Sequence, residues 1–438
     1  MVLKNAFSWP GTSLRALIDH VGAKALRDSA LCANPKIGTY FSGIGSPELA
    51  GEMISNAAFL LGMSTMFQFI FSCDSSKACQ HELMVRTSGC VLRDVLSRLP
   101  AFTTVGLDAE ELWGKVQTMT VRSTADCARH SCDACPCGAV EGVIAGSPCQ
   151  DWSSSGTKAG LSGSRMHLFL AWCRIMLHEQ PPWIIHENVC RFPIWLMSLI
   201  LGDAYYLYPF FVDPADAGFQ VVRRPRLYIV LLHKRKCEWV CDISEVYDAM
   251  KHACSQVVTS PADAILADPT EIWGETMELC ARRCLPIPTQ THFAMYGQWS
   301  LLSLDEMKRN TRLYELWEGS HLIPAHRDSL AILSLGDSPD TYGPNWSSSG
   351  RIPTLRRNSY RLWAAKEKRF LTLKERCAIM GWPVYPDLAL SSMTETLPVP
   401  CGGQSSLGNM MHVANVGMIM LATLVSIRVS SPDRISAS

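Results

Sequence analysis

The residues best suited to chemistry are a cysteine, an acid and a pair of arginines, each placed beside an apolar run. Cys149 stands in GSPCQDWSSSG (146–156), at the end of the run AVEGVIAGSPCQ (139–150). A proline-restrained cysteine at a strand end is displayed in a cleft rather than packed, and nearby main-chain dipoles could favour its nucleophilic thiolate. The competing reading is a core cysteine, the default for most of the other seventeen. Further on, WIIHENV (183–189) closes with Glu187-Asn188-Val189. A carboxylate beside an apolar strand can be held at a raised pKa, fit for donating a proton, unless it is simply solvated in a loop. The run RLYIVLLH (226–233) is entered through Arg224-Pro225-Arg226. Arg224 and Arg226 could stabilise an electron-rich ring or bind phosphate, or could be exposed basic residues at a strand start.

These groups need elements to hold them. IGTYFSGIGSPELAGEMI reads as a short strand, a glycine turn at Gly43 and Gly45, and a helix from about Pro47. MFQFIFSCD (66–74) is a buried strand ending in Asp74, and the runs at 139–150, 183–189 and 226–233 are further strands. Strands alternating with helix-length segments predict an α/β, Rossmann-like, doubly wound and mainly parallel sheet, with ligands at the carboxyl ends of its strands. Glycines between strand and helix let amide groups approach an anion. Asp74 could then hold ribose hydroxyls, and Asp94 in CVLRDVLSRLP could accept from an adenine amino group. Residues 13–30 read as an amphipathic helix with Ser13 as N-cap and Leu14, Leu17, Ile18 and Val21 on one face. After Lys236 the rhythm changes to scattered Pro, Gly, Ser and Trp, so a smaller loop-rich domain is expected over 237–360. The division is 1–35 for the N-terminal helix, 36–236 for the catalytic domain, 237–360, and 361–438 returning to the catalytic domain. That last segment has a helical pattern at LTLKERCAIM (371–380) and a final helix over roughly His412 to Ser426.

In this order the elements resemble the cytosine-C5 DNA methyltransferase family, which depends on S-adenosyl-L-methionine. The likeness runs from FSGIG (41–45) through Asp74 and Asp94 to GSPCQ, ENV and RPRLYIV. It resumes at RFLTLKERCAIMGWP (369–383) and closes at SLGN (406–409), so it covers most of the chain. The resemblance implies methyl transfer to carbon 5 of cytosine in double-stranded DNA, through a covalent adduct of Cys149 with carbon 6 of a flipped-out base. Glu187 would contact N3 and the exocyclic amine, while Arg226 and Arg224 would steady the ring oxygen and the cysteine loop. The cofactor pocket would comprise Phe41, Ser42, Gly43, Ile44, Gly45, Ser46, Asp74, Asp94, Val95, Pro148, Leu168 and Asn409. DWSSSGTKAGLSGSR (151–165) would close over the base, and 237–360 would be the target-recognition region. One branch of the family methylates tRNA, but its Cys-Phe-Thr tripeptide is absent from this sequence. A non-catalytic relative is disfavoured because both Cys149 and Glu187 are present.

Two positions depart from the family pattern. Val222 stands where a glutamine usually precedes the first arginine of Arg-x-Arg, with Gln220 displaced by two, and Gly163 stands where an acid precedes Ser164-Arg165. Either change could alter loop support or DNA contacts.

Elsewhere the signals are weaker. Cys127, Cys132, Cys135 and Cys137, with His130 among them, form the densest cysteine cluster. Four thiolates could hold zinc, but the single residue between Cys135 and Cys137 is tight, and a loop of free thiols with no metal is the expectation. From Arg351 to Arg376, nine basic residues face two acids, Glu367 and Glu375, which suggests a phosphate-contacting face or a solvated helix face. Forty basic and forty acidic residues cancel, so any nucleic-acid surface must be local. No stretch reads as long enough to cross a membrane, Val416 to Val425 being too short, and MVLKNAFSWPGTSLRAL lacks a continuous apolar region for secretion. A monomer in the nucleus or cytoplasm, with reduced thiols, is expected.

Overall fold

The computed structural model describes residues 2–104, 106–153, 156–318, 332–343, 346, 350–356, 361–388 and 407–430. Nine strands form the main sheet: β1 (Lys36–Tyr40), β2 (Gln68–Cys73), β3 (Cys90–Leu92), β4 (Thr124–Cys127), β5 (Cys132–Pro136), β6 (Gly142–Ala145), β7 (Trp183–Asn188), β8 (Tyr205–Val212) and β9 (Arg226–His233). Their order is β5-β4-β3-β2-β1-β6-β7-β9-β8. Strands β3, β2, β1, β6 and β7 run parallel, and both edges are antiparallel. This is the doubly wound, Rossmann-like α/β class expected from the sequence. From β1 the chain winds outward to β2 and β3, then returns to place β6 on the other side of β1, so the switch point lies between β1 and β6. Ligands of such sheets bind outside the strand ends at that point.

The central strands are apolar on both faces because helices cover both. Along β9, Tyr228, Val230 and Leu232 join one core and Leu227, Ile229 and Leu231 the other, the two-residue alternation of a strand. The first core takes the helices Trp9–Val21, Ser46–Leu60, Ile243–Cys254 and Val413–Ser426; the second takes Ala109–Val116, Met166–Glu179 and Ile194–Leu201. Because β9 is antiparallel to β7, with Glu187 opposite Tyr228 and Asn188 opposite Leu227, the start of β9 meets the end of β7. Arg226 and Glu187 therefore share one rim of the sheet.

Three expectations need correction. The first long helix spans Trp9–Val21, with Ser8 as its N-cap and proline in its first turn; Ser13 lies inside it, buried against Cys254, and Gly22 at φ 86 ends it. Leu14 and Leu17 still form the buried face. The change of composition at 236/237 is not where the packing changes. Cys237–Trp239 pairs with Ile427–Val429, and the helix Ile243–Cys254 packs into the first core. A separate small core begins beyond it, built on the helices Pro269–Arg283 and Leu304–Glu318 and the strands Ile332–Ser334, Leu362–Ala364 and Arg369–Phe370, so the region holds more helix than its composition suggests. Finally, Leu407–Ser426 is, at 20 residues, long and apolar enough to cross a membrane, contrary to the sequence reading; it is almost wholly buried within the protein, which accounts for its apolar composition as a core segment.

Candidate functional site

The first loop follows β1 directly. Phe41, Gly43 and Gly45 all take positive φ (56°, 58° and 91°), and a side chain on Gly43 would meet nothing within 4 Å, so the loop borders open space. The Gly43 amide donates to Asp74 Oδ2 at 2.9 Å, and Ser76 N donates to Oδ1 at 2.9 Å, which fixes the Asp74 carboxylate beside the turn. Burial raises the pKa of that carboxyl. Asp94 caps the short helix Val95–Arg98 by accepting from Leu96 N at 2.9 Å. Gln80, which the sequence reading missed, ties these ends together: its amide donates to the carbonyls of Asp74 at 2.8 Å and Arg93 at 3.2 Å. Ser42 behaves differently from its expected cofactor role. Its buried hydroxyl is engaged with Thr39 at 2.6 Å and with the backbone of Cys73, stapling β1 to β2. Ile44 is buried, and the buried Ser46 hydroxyl at the start of the next helix has no partner among the described residues.

Across the switch point, the chain leaves β6 through Gly146-Ser147-Pro148-Cys149. Two side chains of β7 hold this turn. His186 Nε2 meets Ser147 Oγ at 2.9 Å, and Asn188 Nδ2 donates to Ser147 Oγ at 3.1 Å and O at 3.2 Å. Burial pushes His186 down to about 3, so it stays neutral. A polar His in the middle of WIIHENV was the signal that could have marked it. Gly146 must be glycine for space: a Cβ there would lie 2.8 Å from Met411 and 3.3 Å from Glu187 Oε2. Beyond Cys149, Trp152 N and Ser153 N donate to its carbonyl at 3.0 and 2.8 Å. Ser154 and Ser155 of the expected mobile loop lie outside the described residues. Gly163 has a physical reason of its own, since a Cβ would fall 2.0 Å from the Asp151 carboxyl carbon. Buried Asp151 accepts from Arg165 N at 3.0 Å, so the carboxylate beside Ser164-Arg165 comes from position 151.

Glu187 Oε1 pairs with Arg226 Nε at 3.1 Å. Burial still raises the Glu187 carboxyl above its ordinary range, with Arg226 and Arg224 opposing it. The Cys149 thiol is also pushed up, first by burial and then by Glu187, while Arg226 and Arg224 pull it back. The backbone does favour the thiolate as expected, but burial and the Glu187 charge outweigh it. Arg224 points elsewhere than expected. It is buried, is pushed down to about 9 by burial, and donates to the carbonyls of Leu355 (2.8 Å), Gly408 (3.1 Å) and Met410 (2.7 Å). It therefore anchors the residues flanking Asn409, which is exposed. Val222 is fully buried in the first core and bridges Ile352. Val95 is buried, and Leu168 packs at the edge of the second core.

The basic stretch 351–376 is not a free phosphate face. Arg351, Arg356, Arg361, Arg369, Lys374 and Arg376 pair with Asp213, Asp337, Glu306, Glu375, Glu271 and Glu275 at 2.5 to 3.8 Å. Arg369 and Arg376 are buried. Arg357 lies outside the described residues. Of the cysteine cluster, Cys127, His130 and Cys135 converge with Cys90, while Cys132 and Cys137 instead pack at the edge of the second core.

The sheet order and the loops at its switch point define a Rossmann-like protein with a cysteine, an acid and an arginine on one rim. Residues 123–193, which carry both Cys149 and Glu187, match the model of the C-5 cytosine-specific DNA methylase family; the resemblance read from the motifs is shown in that segment. The chain is 40% identical over 50 residues to the type II methyltransferase M.NgoPII of Neisseria gonorrhoeae, covering 11% of this chain and 15% of that protein. It is 41% identical over 49 residues to M.FnuDI of Fusobacterium nucleatum, covering 11% and 14%. The match thus spans only about 15% of these curated relatives. Among solved structures, a putative DNA modification methyltransferase encoded within a prophage (E. coli) aligns over 89% of this chain and 98% of its own, with 14% identity and a TM-score of 0.49. The Entamoeba histolytica methyltransferase EhMeth aligns over 89% and 97%, with 12% identity and a TM-score of 0.48.

Proposed function

We propose that this protein transfers a methyl group from S-adenosyl-L-methionine to carbon 5 of cytosine in duplex DNA, as a single chain in the nucleus or cytoplasm. The observation that carries the reading is the rim where Cys149, the Glu187–Arg226 pair and the open glycine loop meet at the switch point between β1 and β6.

The loop residues fit the methyl donor. Open space beside Gly43, an unpartnered buried Ser46 hydroxyl and two fixed carboxylates suit a ligand with amino, hydroxyl and sulfonium groups. Phe41, Gly43, Ile44, Gly45 and Ser46 would line it with Pro148, Leu168 and Asn409; Asp74 would take the ribose, and Asp94 with Val95 the adenine. Ser42 would shape the loop from behind. Bound there, the donor supplies an electrophilic methyl group. Carbon 5 of cytosine is too weak a nucleophile to accept it unaided.

The chain's own groups supply the activation. The Cys149 thiolate adds to carbon 6 and forms a carbon–sulfur bond, which leaves carbon 5 enamine-like. Glu187, whose carboxyl burial raises above its ordinary range, contacts N3 and the exocyclic amine and supplies or shares a proton as negative charge develops on the ring. Arg226 steadies the ring oxygen and the adduct. Arg224 is a positioning residue that holds the segment carrying Asn409. Once carbon 5 is methylated, its proton passes to solvent while the carbon–sulfur bond breaks and releases the Cys149 thiolate, which restores the aromatic ring. These atoms lie within the base stack, so the cytosine must be flipped out, at a cost of roughly a few kcal/mol.

Purified protein incubated with duplex DNA and labelled donor should methylate cytosine, and Cys149→Ser should abolish transfer. Transfer to tRNA but not to DNA would overturn the substrate assignment.

A further inference from the structure

Three cysteines and a histidine meet at the antiparallel edge of the sheet, apart from the Cys149 rim. Cys90 opens β3, Cys127 ends β4, Cys135 lies in β5, and His130 sits in the turn between β4 and β5. The Sγ atoms of Cys90, Cys127 and Cys135 lie 3.8, 3.5 and 3.3 Å from the same nitrogen, His130 Nδ1. The sulfurs of Cys90 and Cys135 are 3.3 Å apart, and all four ligand atoms fall within 4.8 Å of one another.

His130 Nδ1 can serve only one of these sulfurs by a hydrogen bond. A neutral imidazole nitrogen offers one lone pair or one proton, yet three sulfurs crowd around it. A cation at the centre satisfies all four groups together. Tetrahedral zinc, with bonds of about 2.3 Å to sulfur and 2.0–2.1 Å to nitrogen, separates sulfur from nitrogen by about 3.6 Å and sulfur from sulfur by about 3.8 Å. The three sulfur–nitrogen spacings bracket the first value, and the Cys90–Cys135 spacing of 3.3 Å is somewhat shorter than the second.

We propose that Cys90, Cys127, His130 and Cys135 bind a structural zinc ion. Three thiolates and an imidazole form a soft donor set that favours zinc, and four protein ligands leave no open position for catalysis. Binding releases the three thiol protons and involves no redox step. The ion has a mechanical purpose at this edge. The β3–β4 ladder is short: one paired position, Leu92 with Cys127, flanked by two backbone bonds, from Arg93 N to Asp126 O at 2.9 Å and from Ala128 N to Val91 O at 2.7 Å. Arg129 already draws the β4–β5 turn toward β3 through Gly89 O at 2.7 Å and Thr87 O at 2.5 Å, which brings the ligands together before the ion arrives. Asp94 follows β3 closely, so a firm edge also steadies one wall of the glycine-loop pocket.

The choice of ligands makes the proposal testable. Sequence spacing alone groups Cys132 and Cys137 with Cys127 and Cys135; the structure replaces them with Cys90 and His130. Full-length protein produced with supplementary zinc should carry about one zinc ion per chain by elemental analysis. Cys90→Ser and Cys135→Ser should each lose most of it, while Cys132→Ser and Cys137→Ser keep it. Because a ligand variant can fail to fold, the same question is put to the unmutated protein by alkylation and peptide mapping. A chelator should expose Cys90, Cys127 and Cys135 to alkylation and leave the labelling of Cys132 and Cys137 unchanged. Metal-free unmutated protein, retention of zinc by Cys90→Ser, or chelator-dependent exposure of Cys132 and Cys137 in place of Cys90 would overturn the assignment.

Discussion

The turn around Cys149 and the stretch 351–376 both bring arginine next to glutamate, but they use the charge in opposite ways. In the first, Glu187 and Arg226 form a single 3.1 Å contact at the sheet rim, with side chains 12% and 13% exposed and Cys149 beside them. In the second, Arg369 and Glu375 make two 2.7 Å bonds with side chains 4% and 0% exposed, and the Glu375 carboxylate also accepts from the amides of Thr372, Leu266 and Ala267. The rim pair stays part-exposed at the strand ends, joined by one contact. The buried pair ties Leu266, Ala267 and the Thr372 helix start together. Positive charge counted along a sequence is therefore no measure of positive charge offered to a ligand; topology decides which arginines remain available.

The most drastic way to break this contrast is to remove Arg369. Its loss leaves a buried carboxylate without its partner, and Arg369→Ala should cost about 3–5 kcal/mol of stability. Urea unfolding followed by tryptophan fluorescence measures it; a loss of under about 1 kcal/mol would place Arg369 with the dispensable surface charges. The matching change at the rim is Arg226→Ala. Here stability should move little, while methyl transfer falls about 10²–10³-fold through lost stabilisation of developing charge. Unchanged turnover with a destabilised fold would reverse the roles of the two regions.

How far the sequence could be read follows the same division. Strands β1, β2, β6, β7 and β9 were legible because each is a short apolar run bounded by a turn signal, and the doubly wound, mainly parallel class followed from their alternation with helices. Cys149, Glu187 and the two glycines were legible because they sit where those runs stop. Arg224 and Arg226, two residues apart, were given one role, Arg226 ahead of Arg224, yet Arg224 points to the carbonyls of Gly408 and Met410. Only long-range packing, joining positions over 180 residues apart, separates them. Cys90 was invisible as a partner of Cys127 and Cys135 for the same reason, since β3 and β5 are distant in sequence and adjacent through β4. The domain boundary at 236/237 was misplaced because the helix Ile243–Cys254 follows a composition change without leaving the first core.

A subtler test sharpens the account of the rim. Glu187 raises the Cys149 pKa, so Glu187→Gln, which removes a negative charge, should lower it. At neutral pH more thiolate is then present. Alkylation of Cys149 by iodoacetamide, read by peptide mass, should quicken by about threefold to tenfold, the equivalent of half to one pK unit. Methyl transfer should fall in the same variant, because the proton donor is gone. Slower alkylation would mean that Glu187 supports the thiolate, against the electrostatics argued here.

The smallest effects belong to the outer arginines of the basic stretch. Arg351 and Arg356 pair with Asp213 and Asp337 at 3.0 and 2.5 Å while remaining partly exposed. Such pairs contribute about 0–1 kcal/mol, so Arg351→Ala and Arg356→Ala should barely shift unfolding. The informative measurement is DNA affinity as a function of salt. Each phosphate contact adds about 0.9 to the slope of log affinity against log salt concentration. If these arginines are committed to Asp213 and Asp337, the slope is the same in both variants as in the unmutated protein. A fall of nearly one for either would show that its carboxylate partner yields to a phosphate when DNA binds, and the stretch would then serve the duplex as well as the fold.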